Sequence, residues 1–133
     1  MDGASSLGQR LLGHCRQLPG AELTYPFGPQ PAAYKIGGKL FAAFRGPAVD
    51  AVPTQLTLKC EPDHAAALRR EYAAIQPGYH LNKRHWITLE LTGDLPAQLA
   101  EELLEDSYDL VLNSLPRATR ARLSAERARP GGD

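Results

Sequence analysis

A chain of 133 residues is long enough to bury one hydrophobic core and reads as one domain. With 43% hydrophobic and 23% charged residues it has the composition of an ordinary globular protein, and its formal net charge of zero excludes a strongly basic binder, so any pull on nucleic acid must come from a local patch. No run approaches the roughly 18 apolar residues of a membrane span, and the opening "MDGASSLGQRLLGHCRQLPG" lacks the apolar core of a signal peptide, so a cytoplasmic protein is expected.

Residues 6 to 18 set Leu7, Leu11, Leu12, Cys15 and Leu18 at helical spacing with Gln9, Arg10, Arg16 and Gln17 mostly opposite, which predicts an amphipathic helix ended by Pro19-Gly20. "TYPFGPQP", residues 24 to 31, holds three prolines and reads as a loop. In "AAYKIGGKLFAAFRG" two β-prone runs flank Gly37-Gly38, the pair a tight hairpin turn wants because both positions need positive φ. Tyr34 and Ile36 then share one face, and Leu40, Ala42 and Phe44 share one face of the second strand. Lys35, Lys39, Phe41 and Arg45 fall on the other side.

"TQLTLKC" predicts a third, half-buried strand with Leu56, Leu58 and Cys60 alternating against Gln55, Thr57 and Lys59. Pro62 suits the first position of a helix, with Asp63 favourable in its first turn. That helix runs to about Ile75 in this reading, burying Ala65, Leu68, Tyr72 and Ile75, until "QPGY" breaks it. From Trp86 to Leu91, Ile87, Leu89 and Leu91 face one way and Trp86, Thr88 and Glu90 the other. A long helix over about 96 to 114 carries a wide apolar stripe, and Pro116 starts a last helix to about Ala125. The expected architecture is α+β: a single domain over residues 1–125, an antiparallel sheet with helices packed on one face, and a flexible tail over 126–133. Cys15 and Cys60 form no CxxC and sit in apolar patterns, so both are expected as buried thiols.

The outer side of such a sheet would carry Lys35, Lys39, Phe41, Arg45, Thr57, Lys59, Trp86 and Thr88, joined by a single carboxylate, Glu90. Cations around rings are what single-stranded nucleic-acid binders present, the cations tracking phosphates and the rings stacking on bases. Lysines on exposed strands also serve simply to discourage edge association. "HLNKRHW" adds His80, Asn82, Lys83, Arg84, His85 and Trp86 in one turn. Lys83 and Arg84 suit phosphates, Asn82 and the histidines suit hydrogen bonds, and Trp86 suits stacking. In the plainer alternative His80 and Asn82 tie the loop to the sheet while Trp86 packs.

Metal and catalytic readings have less behind them. His80 and His85 are five apart with no HxxxH helix and no acidic pair, short of the three or four ligands a zinc site needs. His14 and Cys15 are adjacent on a helix, so their side chains diverge. There is no Gly-x-Ser-x-Gly and no phosphate-cradling loop before a helix, so no enzyme, metal or cofactor is expected. Arg117, Arg120, Arg122, Arg127 and Arg129 balance the acidic "EELLEDSYD" before them, with an accessory phosphate contact as the sharper possibility.

"AYKIGGKLFA", "LTLKCEP", "PGYHLNKRHWITLEL", "TGDLP" and "SYDLVLNSLP" follow, in order, the pattern of the MmcQ/YjbR-like proteins, and the chain resembles that bacterial family over nearly its whole length. The resemblance implies a fold similar to the CyaY-like fold of bacterial frataxins and DNA binding in a double-wing mode, with no catalytic residues. Frataxin-type iron binding wants an acidic ridge, whereas the first helix holds Arg10 and Arg16 and almost no acid. The expectation is therefore a cytoplasmic, non-enzymatic DNA-binding protein making mostly non-specific phosphate contacts through Lys35, Lys39, Lys59, Lys83 and Arg84. His80, Asn82, His85 and Trp86 would position or stack. The alternative is a protein-interaction module, a homodimer being one form, that meets its partner through Phe41 and Trp86; small-molecule binding comes third.

Overall fold

The computed structural model describes residues 3–26, 28–48, 51–78, 81–91 and 93–128. In chain order they form α1 (Gly3–Gln17), β1 (Glu22–Thr24), β2 (Ala32–Ile36), β3 (Lys39–Arg45), β4 (Gln55–Lys59), α2 (Pro62–Glu71), β5 (Ile75–Pro77), β6 (Trp86–Glu90), α3 (Ala97–Leu112) and α4 (Arg117–Ala128). The strands make one antiparallel sheet in the order β1-β2-β3-β4-β6-β5. The α+β expectation holds, with α3 lying across β3 and β4 and α1 packed on α3. Leu11 and Cys15 of α1, Leu56, Leu58, Ile87 and Leu89 of the central strands, and Leu104, Tyr108 and Val111 of α3 meet in one core. None of the helices among the described residues is long and apolar enough to cross a membrane.

Gly37 and Gly38 adopt φ of 55° and 80°, so the β2–β3 hairpin turns as the glycine pair predicts. Beyond the turn the alternation breaks. Lys35 pairs with Leu40 but Tyr34 pairs with Ala42, leaving Phe41 as the extra residue of a β-bulge. Phe41 consequently turns inward: it is 0% exposed and meets the Tyr108 ring edge-on at 5.4 Å. Leu40 takes the outer position instead. Ile36 is inward-facing and opposes Lys39, so Lys39 also leaves the outer face, and its Nζ lies 3.3 Å from Ser114 Oγ at the end of α3. Phe41 and Lys39 therefore both depart from the sequence expectation, for one reason: a bulge inverts every side chain on its far side.

A serine holds the bulge in place. The β3–β4 register ends with Ala42 opposite Leu58, so the next rung would join Phe41 and Lys59. Ser107, buried in α3, occupies that rung: its Oγ donates to the Phe41 carbonyl at 2.6 Å and accepts the Lys59 N–H at 2.9 Å. Both backbone groups are thereby satisfied in the interior, where an unpaired one is costly.

Two short strands escape the sequence reading. β1 extends the sheet beyond β2, where Glu22 lies opposite Lys35 and Leu23 opposite Tyr34. The second helix ends at Glu71 rather than Ile75, because Tyr72 turns extended at φ −122° and ψ 117°. Ile75 then opens β5, an edge strand on β6 whose last residue, Pro77, has no N–H to offer a further strand.

The helices are tied to one another by charge. α3 carries Glu101, Glu102, Glu105, Asp106 and Asp109 with no lysine or arginine. Arg10 of α1 pairs with Glu101, and His14 Nε2 lies 2.8 Å from Glu105. From α4, Arg127 reaches both Glu105 and Asp109, with its guanidinium 4.8 Å from the centre of the Tyr108 ring. Tyr108 in turn donates its hydroxyl to the Pro19 carbonyl at 2.6 Å. Arg120 donates to the Asn113 carbonyl and Arg122 pairs with Glu126. The arginines of α4 thus largely bind their own chain; Arg129 lies outside the described residues.

Candidate functional site

The outer face of the sheet follows from the register. Thr57 opposes Thr88, Lys59 opposes Trp86 and Gln55 opposes Glu90, all with their side chains away from the core pairs Leu56–Leu89 and Leu58–Ile87. Arg45 opposes Gln55, and Lys35, Leu40, Ala33 and Ala43 continue the face across β3 and β2. Of the cations expected there, Lys35 and Lys59 are in place and half-buried, Lys39 is not, and His80 lies outside the described residues. Glu22 joins the face beside Lys35, so Glu90 is not its only carboxylate.

The 81–86 turn is fixed by hydrogen bonds to its backbone. Asn82 Oδ1 accepts the Arg84 N–H at 2.8 Å, an Asx-type turn that fixes the reversal. Arg69 of α2 donates to the Lys83 carbonyl, and the His85 carbonyl accepts the Cys60 N–H at 2.8 Å, anchoring the turn at both ends. Gly78 passes directly under Trp86: a Cβ there would come within 2.4 Å of the Trp86 Cβ. Asn82 therefore works as a turn former, Lys83, Arg84 and His85 stand exposed, and Trp86 is half-buried next to Lys59.

Leu81, an apolar residue in an otherwise polar stretch, is the contact that the sequence reading overlooked. It borders two hollows on the outer face. One, of about 540 Å³, is lined by Gln55, Gln76, Lys83, Thr88 and Glu90. The other is a groove of about 670 Å³ between Leu81 and the β1–β2 loop, with Pro26, Gln30 and Pro31 on its far wall and Ala33, Leu40, Ala43 and Thr57 as its floor. Lys35 and Arg45 also line it. The middle of the face is less open than an uncovered sheet: Thr57 and Thr88 are 8% and 3% exposed, their hydroxyls 2.9 Å apart.

Charge is divided between the two sides of the sheet. In the helix layer Arg10 and Arg127 meet α3 carboxylates and Arg122 pairs with Glu126 within α4, whereas Lys35, Lys59, Lys83 and Arg84 make no side-chain ion pair among the described residues. Glu90 is held by Gln55 Nε2 at 2.8 Å. Burial pushes the Cys15 thiol far above its ordinary range and, with help from the Asp106 charge, raises Cys60 to about 11, so neither offers a thiolate near neutral pH. Asp106 is itself raised, first by desolvation and then by Asp109, Glu102 and Glu105, against the lowering influence of His64. Among the described residues no group of three or more His, Cys, Asp or Glu is placed to hold a metal ion.

These features define a small α+β protein with its helices on one side of an antiparallel sheet and a cation-bearing, grooved face on the other. The chain belongs to the YjbR family, whose model matches residues 16–110. It is 37% identical to YbdF of Escherichia coli O157:H7 over 118 residues, covering 86% of this chain and 88% of that protein. YjbR of Escherichia coli strain K12 is 34% identical over 113 residues, covering 85% and 93%. Among solved structures, the Deinococcus radiodurans protein DR2400, a DUF419 domain, superposes with a TM-score of 0.78 at 34% identity over 94% of this chain and 93% of that one. A Pseudomonas syringae protein superposes at 0.65 with 26% identity, covering 84% and 99%.

Proposed function

We propose that this protein is a non-enzymatic, cytoplasmic DNA-binding module that holds the phosphate backbone on the outer face of its sheet. The observation that carries the reading is the placement of charge in a chain of zero net charge: α3 takes up Arg10 of α1 and Arg127 of α4, while Lys35, Lys59, Lys83 and Arg84 on the other side make no ion pair among the described residues. The contacts are non-specific, because phosphates are met by lysines on a sheet and an exposed turn, and among the described residues no helix presents base-reading side chains on this face. The likeness to the CyaY-like fold belongs to the same reading, supported by the antiparallel sheet with helices packed against one face.

Four phosphate contacts imply a loss of affinity of about 50- to 150-fold between 50 and 200 mM salt. Fluorescence anisotropy of labelled single- and double-stranded DNA measures it. A Lys35→Ala, Lys83→Ala, Arg84→Ala triple variant should abolish binding, while Lys39→Ala, on the helix side, should leave it unchanged. Salt-independent binding, or full binding by the triple variant, would overturn the assignment.

A protein interface through Phe41 and Trp86 loses Phe41 to the core. The apolar surface that favours a protein partner lies instead at edge strand β1, where Leu23 and the next residue after the strand, Tyr25, are 46% and 52% exposed. Light scattering across a concentration series tests it: a monomer throughout rules out self-association by this edge.

A further inference from the structure

The groove on the outer face is suited to something other than a nucleic-acid strand. Its volume of about 670 Å³ falls within the range of small-molecule pockets. Proline and alkyl carbons dominate its walls and floor, and among the described residues no aromatic ring lines it to offer a base a stacking platform. The polar atoms of its surroundings are largely engaged. Thr57 is bonded to Thr88, and Gln30 Oε1 accepts the Gly46 N–H at 2.9 Å, which also fixes the wall.

Charge gives the groove a preference. Lys35 and Arg45 line it and, among the described residues, no carboxylate does. The neighbouring hollow on the same face has Glu90 in its wall, and the cleft of about 230 Å³ between α2 and α3 is bordered by Glu61, Asp106 and Asp109. Lys83 faces Glu90 in the first and Lys59 faces the carboxylates of the second, so of these three sites the groove alone is bordered by cations without a carboxylate among the described residues.

We propose that the groove binds a small amphipathic organic anion: one acidic head group held by Lys35, and an apolar body lying on Leu40 and Ala43 under Leu81. Apolar contact supplies most of the affinity, and Lys35, half-buried and without an ion pair among the described residues, supplies the selection for charge. This site goes beyond the phosphate-binding reading, because its apolar floor is not needed to hold a DNA backbone.

The probe for the test is anilinonaphthalene sulfonate, titrated into the folded full-length protein and followed by its fluorescence. Phenylnaphthylamine, which has the same rings without the charge, is run beside it. One equivalent should bind, with amide NMR shifts centred on Ala33, Leu40, Ala43 and Thr57. Lys35→Ala should weaken the sulfonate about tenfold, a loss typical of one charged hydrogen bond, and the neutral probe should bind wild type about that much more weakly. Ala43→Phe, on the outer side of β3, should fill the groove and abolish binding of both probes. Equal affinity for the two probes, or amide shifts elsewhere on the wild-type protein, would overturn the proposal even if Ala43→Phe failed to fold.

Discussion

Replacing Ser107 with alanine removes one oxygen and strands two backbone groups. The Lys59 N–H and the Phe41 carbonyl, 2.9 and 2.6 Å from Ser107 Oγ, lie on either side of a missing rung between β3 and β4. Water cannot readily replace the hydroxyl, because Ser107 is 0% exposed and sits beside the Phe41–Tyr108 ring pair. An unsatisfied buried group costs about 1–3 kcal/mol, so the pair should cost about 2–4 kcal/mol once partial relaxation is allowed. Domains of this kind are stable by only about 5–15 kcal/mol, and the change corresponds to a fall in Tm on the order of 10 °C. Urea and thermal unfolding measure it, with Ser114→Ala as the control. That hydroxyl, just past the end of α3, donates to the Val111 carbonyl, and its loss should cost under about 0.5 kcal/mol. Hydrogen exchange adds a local readout, since the Lys59 amide should exchange faster than its neighbours in the variant. A Tm within about 2 °C of wild type, with Lys59 still protected, would show that β3 and β4 close without the hydroxyl. The account of the bulge would then be wrong.

Other positions give independent checks. Gly78→Ala brings a methyl against the Trp86 Cβ and backbone and should destabilise by about 1–3 kcal/mol, with a changed tryptophan emission reporting the displaced ring. Asp106→Asn should raise Tm at neutral pH. The carboxyl's folded pKa lies above its unfolded one, so its charge opposes folding, and the gain should vanish as the pH falls below the ordinary aspartate range. Neither Cys15 nor Cys60 should react with an aromatic disulfide reagent at about pH 8 until denaturant is added, when two thiols per chain should appear; prompt reaction of the native protein would contradict their burial. Arg127→Met, which breaks the links to Glu105 and Asp109, should destabilise by about 1–2 kcal/mol and leave DNA binding unchanged.

The "SYDLV" stretch that helps to mark the family owes its composition to architecture. Ser107 bridges the bulge, Tyr108 joins Phe41 to the Pro19 carbonyl, Asp109 holds Arg127, and Val111 packs in the core. Asn82, in the other marked stretch, similarly forms its turn. Residues that make a family recognisable are here largely those that hold the sheet and turn in position, which is why a family resemblance alone leaves the ligand open.

Local pattern determined a good deal. Helical spacing located α1 and α3, Pro62 marked the start of α2, and Gly37-Gly38 announced the hairpin, because each is a property of neighbouring residues and the backbone between them. Strict alternation correctly divided β4 and β6 into inner and outer residues. Tertiary structure decided the rest. The bulge in β3 depends on a hydroxyl from a residue 66 positions away, so no window around Phe41 contains the reason it faces inward or the reason Lys39 leaves the outer face. β1 and β5, three residues each, are too short to show a period and exist because β2 and β6 present open edges for them to pair with. The groove is made by two loops brought together over one sheet, with Leu81 and Pro31 fifty residues apart along the chain, and the carboxylates of α3 meet Arg10 and Arg127 from two other helices. Contacts between distant segments carry no local signature in sequence, and they are what set the candidate site.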